Sequence, residues 1–261
     1  MTSITLYPLV GLLAGFLAGL LGIGGGVVVV PLLVMALGWQ QVDADLALRL
    51  AVGTSLATIA ITSISSARAH YLHGNVRKDC VWLLLPGLIF GAIGGVFLGD
   101  ALSGRVLSLL LGVFFLLLAT KLLIGLRPGR EHSLPGRKGM IFAGGSIGLA
   151  SALFGIGGGT LTVPFLERCS VPMRQAVGTS AAAGIPIAVV GAITAMWVGN
   201  ASETLSWATG YVYWPAFIGI VLLSVPGARA GALIASWLPD SLLKRVFAVL
   251  LIVVGLKFLM G

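Results

Sequence analysis

Apolar residues run along this chain in eight blocks, roughly 4–38, 47–69, 80–100, 104–126, 139–169, 174–199, 211–238 and 241–260, with the charged residues near the block edges. About 20 apolar residues in a helix cross the hydrocarbon core of a bilayer. The pattern therefore predicts an all-α polytopic membrane protein. The first and fifth blocks each exceed 30 residues, too long for one upright span. Each holds a glycine cluster, in "LLGIGGGVVVVPLL" (Leu20–Leu33) and "LFGIGGGTLTVPFL" (Leu153–Leu166). Glycine without a Cβ ends one helix and lets another begin. The arm from Val27 to Leu37 is too short to span alone at about 1.5 Å per residue. The expectation is a broken or re-entrant helical hairpin in each block; a single tilted and broken helix is the alternative.

The halves repeat one another. "GIGGGVVVVP" at Gly22–Pro31 matches "GIGGGTLTVP" at Gly155–Pro164, and "RLAVGTSLA" at Arg49–Ala57 matches "RQAVGTSAA" at Arg174–Ala182. The run from Gly91 to Leu123 matches that from Gly227 to Leu259 without a gap. Between the halves lies "RPGREHSLPGRK" (127–138), with the Pro, Gly and charge of a linker. This predicts a first transmembrane repeat over 1–126, a cytoplasmic linker over 127–138 and a second repeat over 139–261. Such duplications are characteristic of secondary transporters.

Charge decides between parallel and inverted repeats. If all eight blocks cross once, the 16 Lys and Arg divide nine to seven between the two sides. If the first and fifth blocks dip in and return, they divide thirteen to three. The positive-inside rule favours the second arrangement. Each repeat is then a hairpin plus three transmembrane helices, the second repeat is inverted, and both termini lie outside. The first block lacks a basic leading segment and a cleavage pattern, so it reads as part of the fold.

Composition agrees. The chain is 58% hydrophobic and 9% charged, against about 25% charged in soluble domains. The basic pI of about 10.1 reflects residues on the cytoplasmic side rather than a nucleic-acid surface, so the lipid bilayer is the expected partner and nucleic acid is not. Cys80 and Cys169 are too few for a disulfide framework and read as inert thiols.

The glycines also suggest chemistry. Backbone at a helix break cannot stay unpaired in lipid, so it must face protein or a water-lined cavity. The second arm of each block starts after Gly24, Gly25 and Gly26, or after Gly157, Gly158 and Gly159. The free N–H groups and the positive dipole at a helix start bind anions without a cationic side chain. Thr160 follows the second cluster, where the first has Val27. Two such starts facing each other would make one site near the midplane. Close helix packing is the other use of glycine-rich stretches. Neither cluster completes a dinucleotide fingerprint or a P-loop.

Thr54, Ser55, Thr179 and Ser180 of the two "AVGTS" copies offer neutral hydroxyls, either to the same anion or to neighbouring helices. Arg49 and Arg174, about one turn earlier, either snorkel to the interface or draw anions inward. Arg229, after Pro226-Gly227, is a substrate-binding candidate because ionisable residues inside membranes are rarely idle. The acids all fall near block ends, as do His70, His73 and His132. No metal-ligand cluster, cofactor motif or catalytic pair emerges. A small anionic substrate fits this inventory better than a cation or a hydrolytic reaction. The alternatives are a non-transporting assembly or sensory protein and a divalent-metal permease. A homodimer is an admissible assembly.

At "GLLGIGGGVVVVPLL", "ALFGIGGGTLTVPFL", the paired "AVGTS" and "GARAGALIASWLPDSLLKRVF", the chain resembles the sulfite exporter TauE/SafE family over essentially its whole length. The resemblance implies a multi-pass permease of the cell (inner or plasma) membrane that moves small sulfur-containing anions such as sulfite, sulfoacetate or taurine-like organosulfonates, by alternating access around the midplane site. Val27 against Thr160, and Arg229 against Ile93, make the two half-sites unequal.

Overall fold

The computed structural model describes residues 3–21, 25–124, 133–201, 205–235 and 240–260. Among these, ten helices form: α1 (Ser3–Leu21), α2 (Gly26–Trp39), α3 (Ala44–Leu72), α4 (Lys78–Ala101), α5 (Gly104–Ile124), α6 (Arg137–Leu153), α7 (Gly159–Arg168), α8 (Met173–Val198), α9 (Trp214–Ala235) and α10 (Asp240–Met260). A two-stranded antiparallel ladder, β1 (Ala208–Thr209) with β2 (Val212–Tyr213), precedes α9. Residues 127–132 of the expected linker, and Gly24, lie outside the described residues.

The fold is that of a helical membrane protein. Helices α3, α4, α5 and α8, and the Trp214–Gly231 stretch of α9, are long and apolar enough to cross a membrane. The outer surface is apolar to match: Trp82, Phe90, Phe142, Trp197 and Leu222 are all more than 60% exposed. Exposure of so many large apolar side chains is costly in water and neutral in lipid.

Each glycine cluster divides its block. The first block becomes α1 and α2, the fifth α6 and α7. Gln40, just past α2, donates from Nε2 to the Tyr7 hydroxyl at 2.6 Å, so the end of α2 returns to the start of α1. Tyr7 in turn packs edge-on against Tyr213, with ring centroids 5.6 Å apart. In the second half, Glu167 and Arg168 at the end of α7 lie within electrostatic reach of Lys121 on the last turn of α5.

Glycine faces bring the halves together. A Cβ on Gly91 or Gly95 of α4 would strike the carbonyl of Gly145 or Leu149 on α6. Likewise Gly11 and Gly15 of α1 press on Ile220 and Ser224 of α9. Small residues allow this approach, and van der Waals contact holds it in lipid. Matching helices of the two halves pack antiparallel. On α3 and α8, Leu56 meets Gly191 while Ser63 meets Gly184. On α5 and α10, Ser108 Oγ donates to the Phe258 carbonyl at 2.7 Å, and Gly112 lies against Gly255.

Candidate functional site

The two glycine turns touch each other. A Cβ on Gly26 would lie 2.8 Å from the Gly155 carbonyl oxygen and 3.0 Å from the Gly157 nitrogen. Ile59 stands beside both turns, its Cδ1 2.7 Å from that same Cβ position and its Cγ2 3.4 Å from the one on Gly157. Ile59 is near the middle of α3, a helix of 29 residues, so the contact lies at the mid-length of that helix. Gly158 sits against Gly184 and Ile187, near the middle of α8. Gly155 has a φ of +64° and lies 2.9 Å, by its Cβ position, from Val52 Cα. Only glycine meets both demands.

Both short helices start from this junction and run away from it. In α7 the first helical bond is from Thr162 N–H to the Gly158 carbonyl at 2.8 Å. The N–H groups of Gly159, Thr160 and Leu161 thus have no partner within the helix. In α2 both Val28 and Val29 donate to the Gly25 carbonyl, at 3.1 and 2.9 Å. Among the described residues, the N–H groups of Gly26 and Val27 have no helical acceptor. Two positive helix ends therefore converge on one place.

The repeated hydroxyls go to different partners. Ser55 Oγ donates to the Gly155 carbonyl at 2.7 Å and ties α3 to the second turn. Thr54 Oγ1 accepts the Tyr213 N–H at 3.0 Å, and Thr179 Oγ1 accepts the Arg77 N–H at 3.0 Å. Ser180 Oγ donates to Val177 of its own helix at 2.8 Å. Among the described residues, Ser55 is the one of these four that bonds a glycine turn. Arg229 is exposed on α9 and has no ion pair among the described residues.

Among the described residues, three buried hydroxyls have no hydrogen-bond partner: Ser151, Thr160 and Thr162. All belong to the α6–α7 hairpin. Thr160 is 8% exposed and the other two are fully buried. The sequence singles out Thr160; Ser151 and Thr162 escape it, although their first-half counterparts, Ala18 and Val29, are apolar and would have marked the contrast.

A duplicated helix-break site inside a bundle of apolar helices matches one known family. The sulfite exporter TauE/SafE family model covers residues 7–258. The chain belongs to the sulfite exporter TauE/SafE family. It is 38% identical, over 98% of both chains, to a probable membrane transporter protein of Haemophilus influenzae. It is 28% identical to a probable membrane transporter protein of Methanocaldococcus jannaschii, over 97% of this chain and 94% of that one. It is 27% identical to the probable membrane transporter protein YunE of Bacillus subtilis, over 98% and 97%. No solved structure matches. TauE/SafE membership indicates a multi-pass membrane transporter.

One end of this TauE/SafE bundle carries a polar lock that the sequence did not reveal. Arg49 donates to the Asp100 carboxylate at 3.0 Å, the Asp100 carbonyl at 2.6 Å and the Leu102 carbonyl at 2.8 Å. It thereby caps the C-terminus of α4, where a cation is favoured. Tyr211, from the second half, donates its hydroxyl to the same carboxylate at 2.6 Å. Burial pushes the Tyr211 phenol above its ordinary pKa, so it stays a donor at neutral pH. The lock lines one side of a small vestibule, with Val52, Gly53, Gly99, Ala152 and Leu153 among its other walls. At the equivalent place on α8, Arg174 is exposed and has no ion pair among the described residues.

Proposed function

We propose that the protein carries a small sulfur-containing oxyanion or organosulfonate across the cell membrane by alternating access, binding it where α2 and α7 begin. The observation that carries this reading is the contact of Gly26 with Gly155 and Gly157 at the mid-length of α3. Convergent helix starts attract negative charge, and a low-dielectric surround strengthens that attraction. The ligand groups are the amides of Gly25, Gly26 and Gly157 to Thr160, with Ser55 bracing the second turn. Thr54, Thr179 and Ser180 serve the frame around the site. The antiparallel pairing of matching helices supports two inverted repeats, 1–126 and 139–261, with the linker in the cytoplasm. One repeat then rocks against the other to expose the site to each side in turn. A homodimer is compatible with this arrangement.

A thermal-shift screen of purified protein tests it, with sulfite, sulfate, thiosulfate, taurine, sulfoacetate and chloride as ligands and divalent cations as controls. A sulfur oxyanion or sulfonate should raise the unfolding temperature. Gly157→Leu should abolish the shift by filling the turn. Gly157→Ala, whose Cβ meets nothing nearer than 3.4 Å, should still fold and reports whether the site tolerates one methyl. Stabilisation by none of the anions, or an unchanged shift in Gly157→Leu, would refute the reading.

A further inference from the structure

The two starts in this junction are chemically unequal, and the inequality is concentrated in one hairpin. Among the described residues, the buried side-chain oxygens lacking a partner are Ser151, Thr160 and Thr162. An unmet buried hydroxyl costs roughly 1–3 kcal/mol. In the first half the matching positions hold Ala18, Val27 and Val29. Val27 and Val29 are 1% and 4% exposed, and Ile59 adds its methyls between the turns. Val and Thr have nearly the same shape, so packing alone does not distinguish the two hairpins; only hydrogen-bonding capacity does. On a helix the Cα–Cβ bond tilts toward the N-terminus. Thr160, in the first turn, therefore leans toward the start of α7, where the amides of Gly159, Thr160 and Leu161 are free of helical partners; Thr162, two residues on, points to another face of the helix.

Resting on the function proposed above, we propose that Thr160 selects the charged head of the substrate, while Val27 and Ile59 form an apolar wall that selects its organic part. The charged head then lies between the two helix starts in one orientation, turned toward Thr160. The wall contains no carboxylate to receive a cation, and burying an unpaired ammonium is costly. The preferred ligand is an organic sulfonate with an uncharged hydrocarbon end, in preference to a zwitterion or a bare inorganic oxyanion.

Isothermal titration of the full chain in lipid nanodiscs tests this with ethanesulfonate, propanesulfonate, taurine and sulfate. Taurine and propanesulfonate have the same size and differ by an ammonium for a methyl. Propanesulfonate should bind at least about tenfold tighter than taurine, and about fourfold tighter than ethanesulfonate for its extra methylene. Sulfate should bind more weakly than either alkanesulfonate. Thr160→Val, which installs the first-half residue, should weaken propanesulfonate about tenfold or more. Thr160→Ser should keep the affinity within about threefold, since the hydroxyl remains. Val27→Thr should leave propanesulfonate bound and narrow its advantage over taurine. Equal binding of taurine and propanesulfonate, or a Thr160→Val protein with unchanged affinity, would overturn the inference and leave water as the partner of these hydroxyls, while the anion site itself would stand. If none of these anions binds, and sulfite does not either, both readings fall.

Discussion

Thr54 Oγ1 accepts the backbone N–H of Tyr213 at 3.0 Å across 159 positions of sequence. The matching hydroxyl, Thr179, accepts the N–H of Arg77 at the same distance. The glycine before each threonine lies against the same partner loop: a Cβ on Gly53 would strike the Tyr211 carbonyl, and one on Gly178 the Asn75 carbonyl. Those loops open on Gly210 and Gly74, with φ of +53° and +70°. Each half thus docks its repeated motif onto the other half's loop, reciprocally, as the two faces of a two-fold interface do.

Gly53→Ala and Gly178→Ala should each destabilise the protein by about 1–3 kcal/mol, because backbone carbonyls cannot rotate away as a side-chain tip can. Thr54→Val should cost a similar amount by stranding a buried N–H. Unfolding temperature in mild detergent measures all three. If Gly178→Ala were as stable as the parent, the reciprocal docking would be wrong.

The polar lock should control access to the vestibule it lines. Tyr211→Phe removes one hydrogen bond to a carboxylate, worth roughly 1.5–3 kcal/mol. In a Val52→Cys background it should therefore raise the labelling rate by a water-soluble maleimide severalfold. Arg49→Lys should act in the same direction, since an ammonium cannot reproduce the guanidinium fork. Unchanged labelling in both variants would show that the contacts cap α4 without closing the vestibule.

The native thiols should be silent. Cys80 is fully buried and Cys169 is 8% exposed. The folded protein in mild detergent should take up little of a polar thiol reagent, and two equivalents once unfolded. Rapid labelling of the folded form would contradict the packing at these positions, and would also spoil the native chain as a background for cysteine probes.

Single-cysteine probes check the topology proposed for the two repeats. Ser206, between α8 and β1, and Ser133, beyond α5, are both exposed. With a re-entrant fifth block they lie on opposite sides of the membrane; with eight single crossings they share the cytoplasmic side. Ser206→Cys should therefore react with an impermeant reagent added to whole cells, and Ser133→Cys only after the membrane is opened. Labelling of both only after opening would remove the inverted arrangement.

Much of the architecture was legible along the chain because its causes are local. Glycine clusters break helices wherever they occur, and the breaks around Gly25 and Gly158 fall where the apolar blocks become too long to span. The fate of the hydroxyls was not legible. Thr54, Ser55, Thr179 and Ser180 stand in identical words of sequence, yet one braces a glycine turn, two receive distant N–H groups and one bonds its own helix. Asp100 looked like an ordinary residue at a helix end until Arg49 and Tyr211 came to it from elsewhere.

The sequence by itself determined that the chain is a duplicated bundle of apolar helices with two glycine breaks, because hydropathy, length and backbone freedom act over a few residues. Only the tertiary structure decided that the two breaks touch, that Ser55 holds the second turn, and that, among the described residues, three hydroxyls of one hairpin are left without partners. Those outcomes depend on what one half places beside the other, and hydrogen bonding is too short-ranged and directional to be read from either half alone.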